Sequence, residues 1–195
     1  MRFLPEESQH PIDLGADICC DSAHKTLPVL TGGAYLHLSS DLNEVLGDFV
    51  KSSMALFGST SPSWIILQSL DMCNKVVSGD CFREGLKEVS DKLTNLAQKL
   101  QKHGFNSVTS EPLKLLIKPL EFGYEGGEIA EALSGYGVEC EFSDRESVVL
   151  MASPMNDPAD FDKVFDCLKN LPLREAINAI YPSVGRPVSR IPIRE

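Results

Sequence analysis

The sequence predicts an α/β chain: a strand-and-helix unit over residues 1–104, a smaller α+β unit over 105–172, and an irregular tail over 173–195. Three observations carry this. A short apolar run, Ala16 to Cys20, leads directly into small polar residues, the pattern of a buried strand emerging from a sheet. Phe82, Leu86, Val89, Leu93, Leu96 and Leu100 step by four and three, which puts them in one stripe along a helix. Beyond Phe105 the pattern runs strand, helix, hairpin, helix, as when helices lie on one face of an antiparallel sheet.

Composition narrows the class. A 195-residue chain with 43 % hydrophobic and 24 % charged residues is an ordinary globular protein of one domain, or of one and a fraction. Its formal net charge of −10 argues against nucleic acid or an anionic membrane as the main partner, because both reward basic patches. No window approaches a membrane span and no apolar signal core opens the chain, so a cytoplasmic protein is expected. The six cysteines form no CxxC pair, which leaves a zinc site without support and no metal ligand predicted. Cys19, Cys20, Cys140 and Cys167 lie in apolar runs and read as reduced core thiols.

Met1 to Leu14 is irregular, and His10 there reads as a solvated loop residue, with a functional histidine as the alternative. The centre of interest is Asp21 to Pro28, DSAHKTLP. Lysine at the mouth of a buried strand is poorly solvated, and desolvation moves an amine toward nucleophilic behaviour. Lys25 in that state can form a Schiff base with an aldehyde, pyridoxal phosphate being the commonest biological one. Ser22 and His24 alternate on an extended strand, so they share a face and both suit a phosphate. A lysine simply facing water is the plainer reading of the Ser22 to Lys25 step.

Thr31-Gly32-Gly33 either lets the backbone pass close to a cofactor or makes a turn, and both readings stand. Ala34, Leu36 and Leu38 alternate with Tyr35 and His37 as a half-buried strand, with His37 expected to face a neighbouring element. Leu42 to Phe57 is a helix. Ser61 suits the N-cap and Pro62 the first turn of the next helix, a capping arrangement that also makes an anion site. That helix is apolar on nearly every side, as for one buried between a sheet and a partner.

Asp80 is expected to cap the long striped helix and Gly104 to end it. In the small unit, Leu113 to Ile117 is a strand and Gly127 to Ser134 a helix. Val138 to Phe142 and Val148 to Ala152 form the hairpin, and Asp157-Pro158 opens the last helix. Glu139, Glu141 and Asp144 read as carboxylates of a solvent face.

The run GADICCDSAHKTLPVLTGGAYLH, ending at His37, closely resembles the lysine segment of the ornithine/lysine/arginine decarboxylases, which are fold-type-I pyridoxal-phosphate enzymes. GSTSPSWIILQSLD, Gly58 to Asp71, resembles a second family segment at the expected distance downstream. The likeness covers nearly the whole chain. It implies the C-terminal part of a fold-type-I large domain, joined by a long helix to a small α+β domain. It further implies pyridoxal 5′-phosphate on Lys25, with Lys25 and His24 as catalytic residues and Ser22 and His24 as phosphate ligands. Thr60 and Ser61, together with Ser59, would reach the cofactor of a partner subunit in trans, making the enzyme a homodimer. The substrate would be a small cationic amino acid, and the product a polyamine-type amine.

The family's aspartate against the pyridine nitrogen lies upstream of the lysine, in an Asp-x-Ala-His-Gly-Ala-His-like segment, and Asp13, Asp17 and Asp21 do not match it. Weak activity is therefore expected of the isolated chain, and a non-catalytic piece or assembly partner is the alternative. Another fold-type-I activity, an aminotransferase or lyase, is the third.

Overall fold

The structure is a computed structural model that describes residues 10–58, 61–179 and 185. Its first part is a two-stranded antiparallel sheet, β1 (Ile18–Ser22) and β2 (Ala34–Leu38), followed by two helices, α1 (Ser40–Phe57) and α2 (Trp64–Val77). A long helix, α3 (Asp80–Lys102), leads to the second part. There β3 (Asn106–Glu111), β4 (Lys114–Lys118), β5 (Phe142–Ser143) and β6 (Val148–Met151) pair antiparallel in the order β3-β4-β6-β5. Helices α4 (Gly126–Gly135) and α5 (Pro158–Lys169) complete it.

Among the described residues, the apolar core belongs almost wholly to α3 and the second part. Leu86, Val89, Leu93, Leu96 and Leu100 are all buried along one side of α3, as their spacing requires, and each contributes about 1.5–3 kcal/mol through burial. They meet a sheet face built by register: Leu115 lies opposite Leu150 and Ile117 opposite Val148, all four buried. Phe105 and Phe122 stack at 3.9 Å beneath the C-terminal end of α3. Gly104 ends that helix at φ +106°, in the left-handed region where glycine is favoured. Asp157 and Asp160 form a capping box on α5, with Pro158 in the first turn.

Several local expectations need correcting. β1 runs two residues further than the apolar stretch and is not buried, since Ile18 is 50 % exposed; a two-stranded sheet has little to cover its faces. The N-cap of α2 is Ser63, not Ser61, so Pro62 precedes the helix rather than opening it. Gly79 rather than Asp80 caps α3. A further strand forms where no apolar alternation announces one: β3, the polar run Asn-Ser-Val-Thr-Ser-Glu, pairs with β4 around a bulge between Val108 and Glu111. Val138 to Phe142 is mostly irregular, with only the short β5 at its end. All six cysteines are free, but Cys20 is exposed, whereas Cys73, outside the expected set, is buried with Cys167.

Much of the apolar surface of α1 and α2 is uncovered. Phe49, Leu56, Phe57, Trp64 and Ile65 are all exposed, and α1 buries no residue.

Candidate functional site

The backbone from β1 to β2 places the lysine. Ser22 is the last residue of β1, and Ala23–Lys25 form one turn of 3-10 helix. This replaces the extended conformation expected here, so Ser22 and His24 do not alternate along a strand. The Gly33 carbonyl holds the turn by accepting from the Ala23 and His24 amides at 3.1 and 3.4 Å and from His24 Nδ1–H at 3.1 Å. Gly32 sits at φ +96°, which makes the Thr31-Gly32 step a turn. Ala23 packs beneath, 2 % exposed.

Lys25 and Ser22 open on a cavity of about 690 Å³ between the first sheet and the β3–β4 turn. Its wall also carries Asp21, Tyr35 and His37 on one side and Glu111 and Lys114 on the other. The Lys25 side chain is 56 % exposed, so the desolvated amine expected at the mouth of a buried strand is not found. Its nearest carboxylate is Glu141, with Oε1 at 4.0 Å from Nζ. His24 spends Nδ1–H on Gly33, so the neutral ring has only an acceptor at Nε2; donation to a phosphate would need the imidazolium. Ser61 is exposed ahead of α2, and Ser59 and Thr60 lie outside the described residues.

One cluster, whose His10, Asp21 and His37 line the cavity, was not legible as a unit in the sequence. In the β1–β2 register Cys19 faces His37 and Asp21 faces Tyr35, so these four side chains share one face. His10 reaches the same face from a turn closed by Asp13 N–H and Leu14 N–H on the His10 carbonyl. It is 7 % exposed, not a solvated loop residue. His10 Nδ1 accepts from the Ile12 amide at 3.3 Å, so Nε2 carries the proton and donates to Asp21 Oδ2 at 2.9 Å. His37 Nε2 lies 3.2 Å from the same oxygen. Burial, with Asp21 and Cys20 beside it, pushes the Cys19 thiol up. Burial first, then the Cys73 thiol, pushes the Tyr35 phenol up to about 12, keeping it a neutral donor shared between the Leu70 carbonyl and Asn74 Oδ1.

Asp21 is thus engaged by two imidazoles, and Glu141 belongs to the segment ahead of β5, more than a hundred positions from the lysine. The signal for the first was the alternation of Cys19 and Asp21 against Tyr35 and His37. Nothing local announced the second.

Residues 7–157 match the family described as Orn/Lys/Arg decarboxylase, major domain. Among curated proteins, the uncharacterized protein YaaO of Bacillus subtilis is 31 % identical over 72 % of this chain and 30 % of its own length. An arginine decarboxylase of the same bacterium is 28 % identical over 88 % of this chain and 37 % of its own. The chain therefore spans about a third of the length of these relatives. Among solved structures, the constitutive lysine decarboxylase of E. coli superposes with a TM-score of 0.62 at 16 % identity, covering 77 % of this chain and 27 % of that one. Fold and sequence agree, and the chain belongs to the Orn/Lys/Arg decarboxylase family.

Proposed function

We propose that this chain is part of a pyridoxal-phosphate-dependent decarboxylase of a basic amino acid, ornithine, lysine or arginine, with Lys25 as the cofactor's anchor. The observation that carries the reading is the Lys25 amine and the Ser22 hydroxyl opening together on one small-molecule-sized cavity, in a chain of this family. An amine suits the cofactor's aldehyde and a hydroxyl suits its phosphate, so the residues fit the group. When bound, pyridoxal 5′-phosphate supplies the electron sink for the pair left as carbon dioxide departs.

The chain's own residues divide the remaining work. Ser22 donates to the phosphate. His24, tied to Gly33, fixes the turn that aims Lys25 and meets the phosphate only when protonated. Glu141 favours a cationic group beside Lys25, and the net charge of −10 favours approach of a cationic substrate. Asp21 is held by His10 and His37 rather than offered to a ring nitrogen. This supports feeble activity for the chain alone. The exposed apolar side chains of α1 and α2, Phe57 and Trp64 among them, support a dimer whose partner covers them and lends Thr60 and Ser61 in trans. Six unpaired thiols support a cytoplasmic setting.

The test is an absorbance titration of the full chain with pyridoxal phosphate beside Lys25→Ala, followed by borohydride and peptide mapping. A visible band that borohydride fixes on Lys25, absent from the variant, is the expected result. Carbon dioxide release with ornithine, lysine and arginine then reports the substrate. An equal band in the variant would overturn the assignment of Lys25.

A further inference from the structure

The cluster of His10, Cys19, Asp21 and His37 has no part in the cofactor chemistry above, yet it gathers donors that transition metals prefer. We propose that these four side chains form a binding site for a divalent transition ion in tetrahedral coordination, zinc being the best match.

Geometry comes first. His10 Nε2, Asp21 Oδ2 and a ring nitrogen of His37 lie within 4.8 Å of one another, and Cys19 Sγ lies 3.9 Å from His10 Nε2. The two shortest separations are 2.9 Å, His10 to Asp21, and 3.2 Å, His37 to Asp21. A tetrahedral zinc with ordinary bond lengths sets its nitrogen and oxygen ligands about 3.3 Å apart, and its nitrogen and sulfur ligands about 3.5 Å. A shift of a few tenths of an ångström brings Asp21 to that value around His10 and the two histidines close somewhat further, while Cys19, outside the 4.8 Å group, has to turn its side chain inward to supply the fourth ligand. Three of the donors are fixed by pairing, because Cys19 stands opposite His37 and Asp21 is two residues along the same face. The fourth, His10, lies over them with its ring centroid 4.9 Å from that of His37.

The donor set selects the ion. Two imidazoles, one thiolate and one carboxylate suit zinc and its neighbours; magnesium and calcium call for oxygen ligands. On binding, Cys19 releases its thiol proton to solvent, and each imidazole stays neutral with its proton on Nδ1. For His10 this breaks the long 3.3 Å contact from the Ile12 amide. One thiolate and one carboxylate then balance a divalent charge. The ion would tie the 10–16 turn to both strands of a sheet that is too small to be stable by itself, and would so steady the strand that delivers Ser22 and Lys25.

The test is a cobalt(II) titration of the chelator-treated full chain without pyridoxal phosphate, followed by zinc. Expected are the intense visible bands of four-coordinate cobalt and a near-ultraviolet thiolate-to-cobalt band, saturating at one equivalent and erased by zinc. Cys19→Ser should lose the ultraviolet band alone. Asp21→Asn and His37→Gln should weaken binding by at least about a hundredfold. Lys25→Ala, which removes the proposed cofactor anchor, should bind cobalt as the unaltered chain does, so the two readings stand or fall separately. A folded unaltered chain showing only the weak spectrum of aqueous cobalt would overturn the site, as would an ultraviolet band that survives in Cys19→Ser.

Discussion

Lys25 Nζ stands 4.0 Å from Glu141 Oε1, an ion pair that links the turn after β1 to the segment entering β5. Both side chains are more than a third exposed, 56 % and 37 %, so their attraction is worth about 0–1 kcal/mol. Its consequence is kinetic rather than structural. An aldehyde reaching Lys25 has to draw the amine away from the carboxylate.

Glu141→Gln should therefore speed addition of pyridoxal phosphate to Lys25 by no more than about fivefold while leaving the melting temperature nearly unchanged. Stopped-flow absorbance measures the first and calorimetry the second. A large drop in stability would show that the pair supports the fold instead.

The distribution of the core gives a contrasting expectation. Leu133 is fully buried between α4 and the sheet, while Trp64 on α2 is 83 % exposed. Leu133→Ala should cost about 2–5 kcal/mol in denaturant unfolding at any protein concentration, and Trp64→Ser no more than about 0.5 kcal/mol at dilutions where the chain is monomeric. A Trp64→Ser cost that grows with protein concentration is what the proposed dimer requires, and a large cost at every concentration would mean that the chain itself covers α2.

What the sequence made legible follows the same division. The α3 stripe, the Asp157-Pro158 helix start and the Gly104 stop are local patterns whose physics is complete within a turn or two, and the structure keeps each of them. The apolar run likewise put Lys25 just after a strand, where the turn following β1 holds it. The conformation around it was harder, because the Gly33 carbonyl, eight residues away, is what curls Ala23–Lys25 into a 3-10 turn. His10 looked solvated since its burial depends on the face of a hairpin formed later in the chain. Strand β3 escaped notice because its pairing with β4, not its own polar sequence, makes it a strand.

Gly33 puts that dependence to the test. A Cβ there would meet Val29 Cγ1 and lie 3.2 Å from the Leu30 carbonyl. Gly33→Ala should shift the turn whose carbonyl holds Ala23 and His24, at a cost of about 1–3 kcal/mol. The labelling of Lys25 by pyridoxal phosphate and borohydride should fall with it. Wild-type labelling in a folded Gly33→Ala chain would show that the turn does not position the lysine.

A last expectation concerns pH and the segment after α5. Arg174 lies with its guanidinium carbon 3.8 Å from the Tyr124 ring centroid and donates to Glu128 at 2.8 Å. The same segment accepts from the Tyr124 hydroxyl at the Pro172 carbonyl, and the Ile177 amide donates to Leu120. The Glu125 amide first, then Arg174, holds the Glu128 carboxyl below the usual carboxylate range. A depressed acid contributes its stabilisation fully above the ordinary carboxylate value, and the contribution disappears as pH falls through the lowered one. Protection of the Ile177 amide, corrected for intrinsic exchange, should thus stay level from neutral pH down to the ordinary carboxylate range and then decline. Glu128→Gln should remove most of that decline, because its side chain no longer titrates. A decline of the same size in Glu128→Gln would show that Glu128 does not carry the effect.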